Sequence, residues 1–109
     1  MKPCWIYVPC SDSKEAKSIA TSLLSQKLIA CANLFPNLVS LYSWEDKIEE
    51  SSECALLLKT FHGVYEKVEQ QIRELHSYSC PCILKIDLDG ANSDYLQWMK
   101  AQVTLDSSA

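Results

Sequence analysis

The sequence predicts an α+β fold, a ferredoxin-like β-α-β-β-α-β sandwich with a long central hairpin and a C-terminal helix. Two segments have the apolar spacing of amphipathic helices, short β-rich runs flank each of them, and the two middle runs follow one another without a helix between them. The chain of 109 residues is 48% hydrophobic and 22% charged, with two glycines and four prolines. This composition is typical of a compact protein, so we expect residues 1–109 to form one domain.

A strand and a helix are predicted first. The run CWIYVP is rich in aromatic and β-branched residues and ends at a proline, as a strand does. Asp12 followed by Glu15 predicts a helix N-cap with its capping-box partner. Apolar residues then recur at the spacing of one helix face, namely Ala16, Ile19, Ala20, Leu23, Leu24 and Leu28.

The segment from Ile29 to Thr60 has the period of two that indicates β structure. Pro36-Asn37 interrupts it, which predicts a bulge or kink. The run LVSLYSW alternates between two faces, and EDKIEESSE is polar, which predicts an exposed hairpin end. CALLLK is apolar on both faces, as a central strand is.

A second helix and a last strand are predicted next. After a turn at Gly63, a second apolar stripe at helical spacing comprises Val64, Val68, Ile72 and Leu75. HSYSCP ends this helix. The alternation that follows predicts a half-buried strand, with Cys82, Leu84, Ile86 and Leu88 on one face and Ile83, Lys85 and Asp87 on the other.

A short terminal helix closes the predicted fold. DGANSDYLQWMKAQV opens with turn residues and offers Asn92 or Ser93 as the N-cap. The apolar residues that the helix carries are Leu96, Trp98, Met99 and Val103. We expect fixed structure to be missing only from the last residues, LDSSA.

Composition and charge exclude several classes of function. The net charge of −4 and the pI near 5.0 provide no basic field for a nucleic-acid backbone, so we expect no nucleic-acid partner. Two glycines are too few for a phosphate-cradling loop. No apolar run reaches membrane-spanning length and no leader is apparent, so we expect a soluble, cytoplasmic protein without a membrane partner. Its six cysteines are then expected to be reduced, with Cys31 and Cys54 packed as small hydrophobes.

The stretch HSYSCPC, residues 76–82, combines a histidine, a tyrosine and two cysteines. His76, Cys80 and Cys82 are ligand types for zinc or copper(I), and they are also the components of a cysteine nucleophile with its base. Pro81 favours an extended backbone, which would direct the two sulfurs to opposite faces. The third alternative is that both thiols pack and that His76 caps the preceding helix.

Several strings together resemble one family. LIACANLFP, SLYSWEDKIEESSECALLLKT, HSYSCPCI and NSDYLQWM are similar, in order and spacing, to the CutA divalent-cation tolerance proteins, over about residues 4–100. The resemblance implies a cytoplasmic, non-enzymatic homotrimer, similar to PII proteins and associated with tolerance of copper and other divalent cations. A surplus of aromatic residues (Trp44, Tyr95, Trp98) also points to burial against another subunit.

The resemblance also implies where ligands bind. Of the candidate metal ligands it implies His76 and Cys31, and the ligand chemistry of the thiols adds Cys80 and Cys82; His76 is the leading candidate, with copper or another divalent cation as the ion. As residues of an intersubunit cleft it implies Asn33, Tyr42, Trp44, Lys59, Thr60, Tyr78, Pro81, Tyr95 and Trp98. The alternative hypothesis is a PII-like sensor or scaffold trimer, in which Lys59 and the aromatic residues hold an anionic metabolite and no metal is bound.

Four positions depart from the family pattern H-P-Y-E-x-P-E and W-x-G-K. Ser77 replaces the proline, Ser79 and Cys82 replace the two glutamates, and Asp46 replaces the glycine. Two candidate oxygen ligands are thereby lost. The remaining His76, Cys80 and Cys82 favour soft ions such as copper(I) or zinc over hard cations.

Overall fold

A computed structural model describes residues 1–105, so the last four residues of the expected unstructured end lie outside it. The elements are β1 (Pro3–Cys10), α1 (Ser13–Ser25), β2 (Cys31–Trp44), β3 (Lys47–Phe61), a 3-10 turn (His62–Val64), α2 (Tyr65–Leu75), β4 (Leu84–Asp87) and α3 (Ser93–Gln102). The strands form one antiparallel sheet in the order β2-β3-β1-β4. This arrangement confirms the ferredoxin-like α+β fold with its long hairpin and terminal helix, and it confirms that CALLLK lies in a central strand.

The core lies between the helices and one face of the sheet. On β1 every second residue is fully buried, and the same face of β3 is buried opposite it. The strand residues concerned are Cys4, Ile6, Val8, Cys10, Leu56 and Leu58. Helices α1 and α2 contribute Ile19, Leu23, Val68 and Ile72. Burying an aliphatic side chain of this size contributes about 1.5–3 kcal/mol, so this layer supplies most of the stabilisation.

Helix α1 begins and ends with hydrogen-bonded caps. The carboxylate of Asp12 accepts a bond from the backbone N–H of Glu15 at 2.8 Å, which confirms the predicted N-cap. At the other end Lys27 has φ 57°, and the N–H groups of Lys27 and Leu28 donate to the carbonyls of Leu24 and Leu23. This is a Schellman motif, and it carries Leu28 into the core although the helix stops at Ser25.

The β2–β3 hairpin spans nearly the whole segment predicted as β structure, from Cys31 to Phe61. A register shift between Phe35 and Leu38, with Asn37 at φ 65°, confirms the bulge at Pro36-Asn37. Glu45 and Asp46 have φ values of 51° and 63°, which defines a two-residue type I′ turn. EDKIEESSE lies at the exposed end of the hairpin, as expected, but only its first two residues form the turn, because pairing with β2 starts at Lys47.

Strand β4 presents its apolar residues outward. Its pairing with β1 places Lys85 opposite the buried Ile6, whereas Leu84 and Ile86 are 54% and 46% exposed. The strand has four residues, so Cys82 and Leu88 lie beyond its ends. Which side of the predicted half-buried strand is buried therefore depends on its register with β1, and not on the hydrophobicity of its residues alone.

The helical stripes differ from the prediction at two places. Leu24 and Leu75 are 43% and 42% exposed, because each lies at the margin of its stripe. Of the two N-cap candidates of α3, Asn92 is the N-cap.

Within residues 1–105, no helix is long and apolar enough to cross a membrane.

Candidate functional site

A large cavity lies between the hairpin and the loop that joins α2 to β4. We call it the hairpin cleft; its volume is about 720 Å³. Its lining consists of Pro9, Ser40, Tyr42, Trp44, Glu49, Ser51, Glu53, Tyr78, Ser79, Cys80 and Cys82. The cleft therefore brings together one end of β1, one face of the hairpin and most of the stretch HSYSCPC.

The period of the two strands builds the hairpin side of the cleft. Tyr42 and Glu49 are directly opposite in the β2–β3 register, and opposed residues share a face. From the loop, the Tyr78 hydroxyl donates to Glu53 Oε2 at 2.7 Å and joins the two walls. Burial, together with this bond and the charge of Glu53, raises the pKa of Tyr78, so its hydroxyl stays a donor at neutral pH.

The charge of the hairpin cleft has one sign. Two carboxylates (Glu49 and Glu53) and two thiols (Cys80 and Cys82) line it, and among residues 1–105 no lysine, arginine or histidine does. Burial and the charge of Glu53 raise the pKa of Cys82. This shift is the opposite of the activation that a cysteine nucleophile needs. The chemistry of the lining thus suits a cation, whose binding would favour loss of the thiol proton.

His76 positions the loop and does not line the cleft. It is the C-cap residue of α2 and is 8% exposed. Its Nε2 lies 2.9 Å from the carbonyl oxygen of Pro9, and its Nδ1 accepts the backbone N–H of Tyr78 at 3.1 Å. Because Nδ1 accepts, the proton is on Nε2, which donates to Pro9. Both ring nitrogens are therefore engaged.

Glu15 makes a second set of bonds to the same loop. One carboxylate oxygen accepts from the backbone N–H and the hydroxyl of Ser11 at 2.9 and 3.0 Å, and the other accepts from the Ser77 N–H at 2.7 Å. Burial raises the pKa of Glu15, but these bonds together outweigh it and lower the pKa to about 2. The capping-box residue thus joins the start of α1 to the loop after α2.

Cys10, Glu15 and His76 have ligand atoms within 4.8 Å of one another, and no other such group of three exists in residues 1–105. We call them the loop anchor. Burial, followed by the charge of Glu15, raises the pKa of Cys10 to about 12. With a neutral thiol, an occupied carboxylate and no free nitrogen lone pair, the arrangement does not fit a metal ion and fits a structural contact instead.

The sequence did not identify Cys10 or Glu15 as members of this group. The contact joins residues more than sixty positions apart, and no local spacing signals it. The sequence assigned Glu15 only the role of capping-box partner of Asp12.

The structure places the predicted metal ligands in three separate regions. Cys80 and Cys82 line the hairpin cleft, and His76 lies in the loop anchor. Cys31 pairs with Lys59, five positions along β3 from Cys54, which pairs with Cys10. Five strand residues span about 17 Å, so one subunit does not bring Cys31 to the other three.

The predicted cleft residues also divide into groups. Tyr42, Trp44 and Tyr78 line the hairpin cleft, and Pro81 lies between its two cysteines. Lys59 and Tyr95 line a second cavity, with the Lys59 ammonium 5.7 Å from the centre of the Tyr95 ring. Within one subunit, the anionic-metabolite hypothesis therefore combines side chains from two different cavities.

Three further residues of that prediction lie outside both cavities. The Thr60 hydroxyl is fully buried and donates to the Leu28 carbonyl at 2.6 Å, which is a structural role. Trp98 is 44% exposed and packs on Tyr95, with ring centres 5.4 Å apart. Asn33 is partly buried opposite Leu57 in the β2–β3 register.

Comparison with known proteins agrees with this architecture. The family model "CutA1 divalent ion tolerance protein" matches residues 4–102. The divalent-cation tolerance protein CutA of Pyrococcus horikoshii is 42% identical over 94 residues, which cover 86% of this chain and 91% of that protein. The crystal structure of divalent ion tolerance protein CutA1 from Ehrlichia chaffeensis has a TM-score of 0.92 and 38% identity, covering 96% of this chain and 99% of that chain.

A more distant relative has the same fold. CutA1 from Oryza sativa has a TM-score of 0.94 at 28% identity, with 97% of each chain covered. The resemblance in the sequence is thereby confirmed along nearly the whole chain. The chain belongs to the CutA1 divalent ion tolerance protein family.

Proposed function

We propose that the protein is a non-enzymatic homotrimer that contributes to divalent-cation tolerance by binding divalent or soft cations in its hairpin cleft. The observation that carries this proposal is the charge of the residues that line the cleft, which is negative. Two carboxylates and two thiols line one cavity, and the basic side chains of residues 1–105 lie elsewhere. An anionic metabolite would meet repulsion there, whereas a cation would be attracted.

The donors favour copper(I) or zinc over magnesium or calcium. Cys80 and Cys82 are exposed and unpaired, and thiolates select soft ions. Glu49 and Glu53 add oxygen donors. Within one subunit these atoms do not approach as closely as those of the loop anchor, so the site is incomplete until a second subunit contributes donors.

A large exposed apolar surface supports self-association. On the hairpin and on β4, the large side chains at least 45% exposed are Phe35, Val39, Leu41, Tyr42, Trp44, Ile48, Leu84 and Ile86. Strands β2 and β4 are the edges of the sheet, and unpaired edges are sites for pairing with another chain. The subunit number of three rests on the resemblance to CutA proteins.

A reducing compartment such as the cytoplasm is consistent with the thiols. All six cysteines are free, two of them on the surface in the hairpin cleft. Two exposed cysteines two positions apart, such as Cys80 and Cys82, stay as thiols in a compartment whose redox systems keep cysteines reduced.

Substitutions in the cleft test the proposal. Copper(I) and zinc uptake, measured by competition with a chromogenic chelator, is expected to weaken at least tenfold in the double variant Cys80→Ser/Cys82→Ser. Ser18→Ala/Ser25→Ala, at two exposed positions of α1 outside the hairpin cleft, is the control and is expected to take up both ions as wild type does. His76→Gln is expected to weaken uptake less than the double variant. Equal uptake by wild type and the double variant would refute the site.

A further inference from the structure

A second cavity, of about 270 Å³, lies between β1, β3 and the first turns of α3. We call it the Lys59 cavity. Its lining is Pro3, Cys4, Trp5, Lys59, Leu88, Gly90, Ala91, Tyr95 and Met99. Apart from one ammonium group and the ring hydroxyl of Tyr95, its side chains are apolar or aromatic. It shares no lining residue with the hairpin cleft.

Within the described part of the chain, the ammonium of Lys59 has no counterion. Among residues 1–105, no carboxylate oxygen lies within 4.0 Å of its Nζ, and its closest recorded partner is the face of Tyr95. Cys4 does not neutralise it, because burial raises the pKa of this thiol to about 11 and leaves it uncharged. A partly buried cation in apolar surroundings is costly unless an anion or polar partner joins it.

A loop with two backbone N–H groups that are unpaired within residues 1–105 forms part of the cavity wall. Gly90 and Ala91 form part of the lining, in the loop before α3. Their N–H groups make no hydrogen bond to any group of residues 1–105. A carboxylate accepts several hydrogen bonds, and the three N–H donors of the Lys59 ammonium meet that requirement.

We propose that the Lys59 cavity binds a small organic monocarboxylate with an apolar body. One cation matches one negative charge, and the aromatic walls of Trp5 and Tyr95 match an apolar or aromatic group. The volume is just below the range usual for drug-sized ligands, which favours a small ligand over a nucleotide. This proposal is independent of cation binding in the hairpin cleft.

Phenylacetate and its neutral amide, phenylacetamide, are the probes. Isothermal titration calorimetry of the full chain without added metal is expected to show phenylacetate binding at least tenfold tighter than phenylacetamide, since the two differ in charge and not in shape. This comparison needs no variant. Weakening of phenylacetate binding as salt is raised would support contact with the ammonium.

Substitution of Lys59 locates the site. Lys59→Met keeps the apolar stem and is expected to weaken phenylacetate binding at least tenfold, whereas Lys59→Arg keeps the charge and binding. Lys100→Met, an exposed lysine on α3, is the control and is expected to bind as wild type does. Equal binding of acid and amide, no binding at millimolar phenylacetate, or unchanged binding by Lys59→Met would each overturn the proposal. Cation uptake by Lys59→Met is expected to be unchanged, which separates this site from the hairpin cleft.

Discussion

Replacing Glu15 by glutamine is expected to destabilise the fold by about 2 kcal/mol. The carboxylate accepts three hydrogen bonds, from two groups of Ser11 and from the Ser77 N–H. Glutamine keeps one acceptor oxygen, but an NH₂ group replaces the other. Where the carboxylate accepted two sets of hydrogen bonds, one set is therefore lost, because an N–H donor now faces another donor. The pKa of Glu15 falls from an ordinary 4.5 to about 2, which gives an upper limit of about 3 kcal/mol for the charged form. Solvent screening of a partly exposed group reduces that limit.

The same effect predicts a pH dependence with a definite sign. Because the folded pKa of Glu15 is depressed, its contribution is fully present above about pH 4.5 and is lost as the pH falls towards 2. The protonated side chain resembles glutamine. The difference in unfolding free energy between wild type and Glu15→Gln is therefore expected to be largest at neutral pH and to shrink below pH 4.5.

Urea denaturation at a fixed subunit concentration, followed by far-UV circular dichroism, measures this difference. Glu66→Gln is the control, since Glu66 is exposed on α2, away from the hairpin, and its carboxylate makes no hydrogen bond to residues 1–105. If Glu15→Gln is as stable as wild type at pH 7, or if the difference is the same at pH 3 as at pH 7, the loop anchor does not stabilise the fold in the way described.

Three other substitutions have definite outcomes. Asp46→Gly is expected to stabilise the protein by about 0.5–1 kcal/mol in thermal denaturation, because φ is 63° there; a lower melting temperature would contradict the turn assignment. Thr60→Val is expected to cost about 1–3 kcal/mol in urea denaturation, because it leaves the Leu28 carbonyl unpaired; no loss would mean that water replaces the hydroxyl. Ile48→Lys, at a side chain 84% exposed in the monomer, is expected to lower the molar mass found by light scattering; an unchanged mass would exclude that residue from the interface.

Local patterns predicted most of the fold. The stripe along α1, the Asp12 cap and the interruption at Pro36-Asn37 each rest on residues close together in the chain, and the structure contains all three. The hairpin turn was harder to place. Asp46 has the left-handed backbone conformation that glycine favours, so its residue type gave no sign of the turn. The charged residues around it resemble a loop, so the sequence did not show that β3 begins at Lys47.

Contacts between distant segments were not predictable in the same way. The alternation in β4 defined two faces, but only pairing with β1 shows that Lys85 lies beside Ile6 while Leu84 is exposed. The loop anchor depends on the meeting of β1, α1 and the loop after α2, and no periodicity encodes that meeting. For the same reason Lys59 was grouped with the aromatic residues of a different cavity.

The central claim, a homotrimer that binds cations in the hairpin cleft, is tested most directly by native mass spectrometry of the reduced protein. One spectrum gives both the subunit number and the bound ions, first without metal and then with copper(I) or zinc. We expect a trimer that takes up one ion per cleft, and we expect the Cys80→Ser/Cys82→Ser variant to remain trimeric without ions. A trimer that takes up no copper(I) or zinc would contradict the cation site, and a monomer would contradict the assembly on which that site depends.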